Sequence, residues 1–287
     1  MTTPRRGCAN FGIQTAAVAG GGGPPPSGTT EEYDGTSWGS GGTIPGSYDS
    51  NAGCGTLTAG LSFLGYSPGL SDACFEYDGS TWTTGGTCNT ARGAPGGLGT
   101  QTAALAAGGQ GLTTGIPTAL NCESYNGASW STENGTVDRS QLGASCGTST
   151  AGLWVGYSPA TGTPPWNNTN EWNGTSWVVG SPGMFNTNMY AVAAFGTQTA
   201  AIKCGGLPPT TDTEANMTSA ESYDGSTWTS VASRNVDQAS GNGAGTATSG
   251  LAFGGYNPLN APAYDTDADK TEEWSQPDFS TKTVTVS

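Results

Sequence analysis

Six times along the chain an aromatic residue is followed, five residues later, by a second aromatic. Five copies read Tyr33-Asp-Gly-Thr-Ser-Trp38, Tyr77-Asp-Gly-Ser-Thr-Trp82, Tyr125-Asn-Gly-Ala-Ser-Trp130, Trp172-Asn-Gly-Thr-Ser-Trp177 and Tyr223-Asp-Gly-Ser-Thr-Trp228, and the sixth is the degenerate Trp274-Ser-Gln-Pro-Asp-Phe279. The first aromatics are spaced by 44, 48, 47, 51 and 51 residues. Self-similarity at this period marks a repeat architecture, in which each unit buries its apolar face only against its neighbours. Six copies fill all 287 residues. The expectation is therefore one domain, 1–287, with units near 1–46, 47–91, 92–139, 140–186, 187–235 and 236–287.

A second signature precedes each aromatic pair. Units one, three and five carry Gly12-Ile-Gln-Thr-Ala-Ala-Val, Gly99-Thr-Gln-Thr-Ala-Ala-Leu and Gly196-Thr-Gln-Thr-Ala-Ala-Ile. Units two, four and six carry Gly55-Thr-Leu-Thr-Ala-Gly-Leu, Gly147-Thr-Ser-Thr-Ala-Gly-Leu and Gly245-Thr-Ala-Thr-Ser-Gly-Leu. The reading is an all-β, six-bladed β-propeller with four antiparallel strands per blade. Alternating odd and even blades give it pseudo-threefold symmetry. Small residues suit the crowded inner strands. Tyr and Trp fill the gaps where blades splay, and cross-strand aromatic pairs add stability beyond their buried area. The Asp-Gly or Asn-Gly between the aromatics supplies the positive φ of a tight hairpin, with a loop of either two or four residues.

Glycine is abundant, at 48 residues, but nine tryptophans and ten tyrosines at regular positions oppose disorder. With 22 acidic and 8 basic residues the formal net charge is −14. There is no basic stripe for nucleic acid backbones or anionic membranes, and no apolar run of membrane-spanning length. The N-terminal Met-Thr-Thr-Pro-Arg-Arg lacks the apolar core of a secretory signal, which points to assembly in a cytoplasm. The seven cysteines form no Cys-x-x-Cys pair. Their recurrence at matching repeat positions (54 with 146, 74 with 122) reads as small buried residues rather than a disulfide framework.

The order of glycine pair, long loop, Glu-x-Tyr-Asp and Trp resembles the kelch repeat, and Cys88-Asn-Thr-Ala-Arg92 is similar to that family's arginine-ending segment. The Tyr-to-Trp spacing is shorter than in typical kelch blades, and units two and five lack the arginine. The Gly/Thr/Ala-rich variant seen here resembles the kelch-like repeats of marine phage proteins. That resemblance implies a tail or virion-surface protein. Ser222 to Trp228 also resembles the sialidase Asp-box, one residue short. A sialidase needs an arginine triad, and this chain has five arginines in all, at 5, 6, 92, 139 and 234.

Histidine is absent, which removes the commonest general base and metal ligand. Ser-His-Asp chemistry and the copper chemistry of kelch-like galactose oxidases are excluded with it. One glutamate per unit (Glu32, Glu76, Glu123, Glu171, Glu221, Glu273) lies within the two residues before the first aromatic. A residue present in every blade reads as structural rather than as half of a glycosidase carboxylate pair. Asp265-Thr-Asp-Ala-Asp269 starts like a calcium loop, but Lys270 and Gln276 stand where glycine and glutamate are needed. No metal and no cofactor is expected.

Antiparallel strands put the turns between strands one and two, and three and four, on one side of the disc. The two-to-three and four-to-one connections emerge on the other. Twelve of the 17 prolines fall in the two-to-three connections, and proline rigidifies a loop at low entropic cost, as recognition surfaces require. The same face is expected to carry Tyr66, Tyr157 and Tyr256 at matching even-blade positions, with Trp166 and Tyr264 as departures from the repeat. These five are the candidate ligand-binding residues. The expectation is a non-enzymatic virion-surface protein of a phage, on tail or capsid, that attaches to a host-surface glycan or receptor and contacts other virion proteins. The alternatives are a purely structural decoration protein and an acidic carbohydrate-active enzyme. The C-terminal Thr281-Lys-Thr-Val-Thr-Val-Ser287 alternates like a strand and is expected to form the outer strand of blade six, or to pair with another chain.

Overall fold

The computed structural model describes residues 1–111, 120–136, 140–156, 158–159, 169–180, 189–207, 217–257, 268–276 and 282–283. Every regular element among them is a β-strand, and the strands form six four-stranded antiparallel sheets, each in chain order. One extra two-residue pair, Ser140–Gln141 with Ser158–Pro159, adjoins blade four. The first strands of the sheets are Ala9–Ile13, Ala52–Thr56, Gly96–Thr100, Ala144–Gly147, Ala193–Thr197 and Asn242–Thr246. Each contacts the next, and the sixth contacts the first. The chain is a six-bladed β-propeller. No helix among the described residues is long and apolar enough to cross a membrane.

The odd–even alternation has a packing cause. The central residue of the first strand is Phe11, Leu98 or Phe195 in odd blades and Cys54, Cys146 or Ala244 in even ones. Each large residue enters a notch in the next blade. A Cβ on Gly60 would lie 2.2 Å from the Phe11 ring, one on Gly250 2.1 Å from Phe195, and one on Gly152 2.9 Å from Leu98. Even-to-odd interfaces use the glutamine of the odd-blade signature instead. Gln101 Nε2 donates to the carbonyls of Gly60 (3.0 Å) and Tyr77 (2.9 Å) in blade two. Gln198 makes the same bonds to Gly152 and Trp172, and Gln14 reaches Trp274. Two interface types therefore alternate around the ring.

The outer hairpins pair Tyr33 with Trp38 and Tyr77 with Trp82 in register, so the loop holds four residues. Asp78 Oδ1 accepts the backbone N–H groups of Ser80 (2.8 Å) and Thr81 (2.7 Å), and Oδ2 accepts the Thr81 hydroxyl. Asn126 and Asn173 accept the same two N–H groups in blades three and four. Hydrogen bonds, led by that from the Thr81 N–H, hold the Asp78 carboxyl down at about 2. A depressed folded pKa contributes stability above the unfolded value of about 3.9, and that contribution disappears as pH falls through the folded value. The melting temperature is expected to drop between about pH 4 and pH 2, and to drop less in Asp78→Asn, as thermal melts across that range will report.

Each tyrosine of the aromatic pairs reaches back to the preceding blade. Tyr33 donates to Glu273 (2.7 Å), Tyr77 to Glu32, Tyr125 to Glu76 (2.7 Å) and Tyr223 to Glu171. Burial, reinforced by these carboxylates, pushes the Tyr77 and Tyr125 phenols up to about 12, so they remain donors. Blades four and six carry tryptophan in place of the tyrosine, and the preceding blades carry Ser124 and Ser222 in place of the glutamate. Those indoles, Trp172 and Trp274, donate to the carbonyls of Ser149 and Ala247. The second aromatics do likewise, with Trp38, Trp82 and Trp228 donating to Thr271, Thr30 and Thr169 of the preceding blade. Tyr33–Glu273 and Trp38–Thr271 are the blade six to blade one copies of these bonds, so the seam is built like the other interfaces. Lys282–Thr283 pairs with Glu272 and Glu273 as the outer strand of blade six, and among the described residues no strand is exchanged across the seam.

Candidate functional site

The glutamates occupy two registers. Glu31, Glu123, Glu221 and Glu272 stand two residues before the aromatic, whereas Glu32, Glu76, Glu171 and Glu273 stand one before it. In a pleated strand, one residue of offset turns the side chain to the opposite face. The second set accepts the tyrosine hydroxyls. The first set forms buried ion pairs: Arg5–Glu31 (2.8 Å), Arg92–Glu123, Lys203–Glu221 (3.1 Å) and Arg234–Glu272 (2.7 Å). The cations come from three different places in the blade. Arg5 and Arg92 lie four residues before the first strand, Lys203 lies in a second strand, and Arg234 sits four residues ahead of Gln238, which holds the usual arginine position. Burial lowers the Lys203 pKa, against the pull of Glu221. Blade two has Tyr48 and Phe75 at the two positions, and their rings pack edge to face at 5.2 Å. That explains the missing arginine in unit two, and Lys203 explains it in unit five.

These carboxylates are engaged in ion pairs, mostly inside one blade, and in tyrosine bonds between blades. The seven cysteines are all free and buried, and burial pushes the Cys74 and Cys122 thiols up to about 12, far from thiolate reactivity. Among the described residues, no group of three His, Cys, Asp or Glu is arranged to hold a metal. Asp265 to Asp267 lie outside the described residues, and Asp269 pairs with Lys270 at 3.1 Å.

The first strands enclose an axial channel of about 480 Å3. At the end where the four-to-one connections enter, one residue per blade adopts the left-handed conformation: Gly7, Ser50, Ala94, Leu142, Ala191 and Ser240, with φ between 50° and 60°. Five of these are not glycine, and each such residue costs about 1–2 kcal/mol. Backbone bonds from blade to blade hold this ring, including Ala94 N–H to Ser50 O (2.9 Å), Ala191 N–H to Leu142 O (3.1 Å) and Ser240 N–H to Ala191 O (2.7 Å). Strain of this kind gathers at functional sites.

The residue immediately before each of these differs in every blade: Arg6, Asp49, Gly93, Gln141, Tyr190 and Ala239. Its bridge partner varies too, with tyrosine only in blades two and six: Gly23, Tyr66, Gln110, Ser158, Leu207 and Tyr256. Arg6, Asp49, Tyr190 and Tyr256 line the channel mouth and follow one another around it from blade five through blade six and one to blade two. The Arg6 guanidinium lies over the Tyr256 ring, 4.4 Å from its centroid. Burial raises the Asp49 pKa, opposed by hydrogen bonds from Ser50 and by the charge of Arg6. Ala94 and Leu142 form the apolar opposite side, and Leu142 is 37% exposed.

No protein-family model matches the chain, and no curated protein sequence matches it. Its chemistry is therefore read from its own residues. Of the five residues expected to bind ligand, Tyr256 lines the mouth. Tyr66 does not: its ring covers Gly93, where a Cβ would lie 2.1 Å away, and its hydroxyl donates to Gln110 Oε1 at 2.9 Å. Tyr157, Trp166 and Tyr264 lie outside the described residues. The ladder gives the blade-four place matching Tyr66 and Tyr256 to Ser158, because that blade is one residue shorter between its glycine turn and this position. The sequence reading did not single out Arg6, Asp49 and Tyr190, which line the mouth. Their signal was the absence of a signal, namely one repeat position with a different residue in every blade.

Proposed function

We propose that this propeller is a non-enzymatic virion-surface protein that attaches to a host-surface glycan or receptor through the face bearing the channel mouth. The observation that carries the reading is the contrast between the two kinds of position. Glutamates, tyrosines, tryptophans and glutamines that recur from blade to blade are committed to ion pairs and hydrogen bonds within and between blades. The chemically diverse residues gather at one end of the axis. A ring whose repeated carboxylates are held in ion pairs and phenol bonds favours recognition over paired-carboxylate hydrolysis. The kelch-like character of the repeats and their resemblance to phage proteins supply the virion context.

The test is adsorption. Purified protein added to host cells ahead of the particle is expected to reduce particle adsorption in a dose-dependent way, and gold-labelled antibody to decorate the particle surface. Undiminished adsorption together with unlabelled particles would count against the reading. A purely structural decoration role draws on a different feature. Val178 and Val179 are 45% and 57% exposed on the outer strand of blade four, an open edge suited to a neighbouring subunit. On that reading, Val178→Thr/Val179→Thr lowers incorporation into particles and leaves adsorption per incorporated copy unchanged.

A further inference from the structure

The mouth has the composition of a sugar site. A pyranose presents hydroxyls that need both donors and acceptors, and a C–H face that packs on aromatic rings. Asp49 contributes a half-buried carboxylate, Arg6 a guanidinium stacked on Tyr256, and Tyr190 a half-buried ring with a hydroxyl tip. The apolar side made by Ala94 and Leu142 completes an amphipathic rim. Arg6 and Asp49 come from adjacent blades and carry opposite charges, so the arc supplies strong hydrogen-bonding groups with little net charge. Tyr256 beneath the guanidinium fixes its plane. The mouth opens into the axial channel, whose whole length encloses about 480 Å3. The strained, blade-to-blade bonded ring behind these residues makes the rim a preorganised scaffold rather than a loop that must order on binding.

We infer that the axial mouth binds one neutral sugar residue of a glycan, held by Arg6, Asp49, Tyr190 and Tyr256. This rests on the attachment reading above and narrows it to a place and a ligand class. The pairing of one cation with one carboxylate leaves no net charge to draw in an acidic sugar, which sets neutral sugars apart.

The experiment is calorimetric titration with methyl glycosides of neutral hexoses, 6-deoxyhexoses and N-acetylhexosamines, with methyl glucuronoside as the charged comparison, alongside the adsorption assay. At least one neutral glycoside is expected to bind with a dissociation constant of about 1 mM. Asp49→Asn and Arg6→Gln are each expected to weaken it by roughly tenfold or more, the loss of one charge-assisted hydrogen bond. Asp49→Asn is isosteric and Arg6→Gln shortens a half-buried side chain, and unchanged melting curves will verify the fold of both. Neutral binding that ignores both substitutions overturns the mouth as the site, and binding of the glucuronoside alone overturns the ligand class. If no glycoside binds while the protein still blocks adsorption, the inference fails and the attachment reading stands. If neither occurs, both fall.

Discussion

Arg92→Ala is expected to destabilise the fold by about 3–5 kcal/mol, the usual cost of removing one partner from a buried ion pair. Arg92 is fully buried. Its Nε donates to Gly108 O (2.7 Å), and its Nη groups donate to Thr90 O (2.9 Å), Ala106 O (3.2 Å) and the Glu123 carboxylate. Alanine would leave three carbonyls short of a donor and Glu123 buried with only the Asn89 N–H at 2.6 Å. Blade two indicates the rescue. Its Tyr48–Phe75 pair occupies the same two positions, so Arg92→Tyr/Glu123→Phe is expected to recover much of the loss. Well-packed apolar pairs often match buried ion pairs in stability. Urea unfolding of the single and double variants measures both effects, and a double variant as unstable as Arg92→Ala would show that the sites are not interchangeable.

Gly60→Ala is expected to cost about 1–3 kcal/mol, the range for an extra methyl forced into a packed interior. The new Cβ would sit 2.2 Å from Cε2 of Phe11 and 2.3 Å from Cζ, and that ring is itself wedged against Trp82, with centroids 6.2 Å apart. Leu98 over Gly152 is the natural smaller version of this contact, with 2.9 Å available. Phe11→Leu in the Gly60→Ala background is therefore expected to restore part of the stability. A double-mutant cycle reads the coupling, and strictly additive effects would refute the notch as the basis of the odd–even alternation.

The propeller was legible because its evidence is periodic. Aromatic pairs, glycine turns and the Gln/Gly alternation recur, and recurrence survives ignorance of any one contact. The odd–even difference was visible as a pattern, but its cause was not: the partner of Gln101 is in blade two and that of Gly60 in blade one. The glutamates mislead for a related reason. Glu123 and Glu76 satisfy one carboxylate per unit, yet a single residue of offset sends one into an ion pair and the other to a tyrosine of the next blade. Comparing blades would have exposed this, since serine replaces glutamate only before the two blades whose aromatic pairs open with Trp172 and Trp274. The mouth was least legible. Arg6, Asp49 and Tyr190 share no residue type, and a search for motifs passes over a position defined by disagreement.

Repeated positions build the ring, and we propose that the non-repeating girdle among the described residues binds. Amide chemical-shift mapping of the labelled protein, titrated with the neutral glycoside that calorimetry selects, tests it most directly. The account predicts shifts concentrated at Arg6, Gly7, Asp49, Ser50, Tyr190, Ala191 and Tyr256. Shifts confined to the opposite face, at the turns 34–37, 78–81 and 224–227, would contradict it.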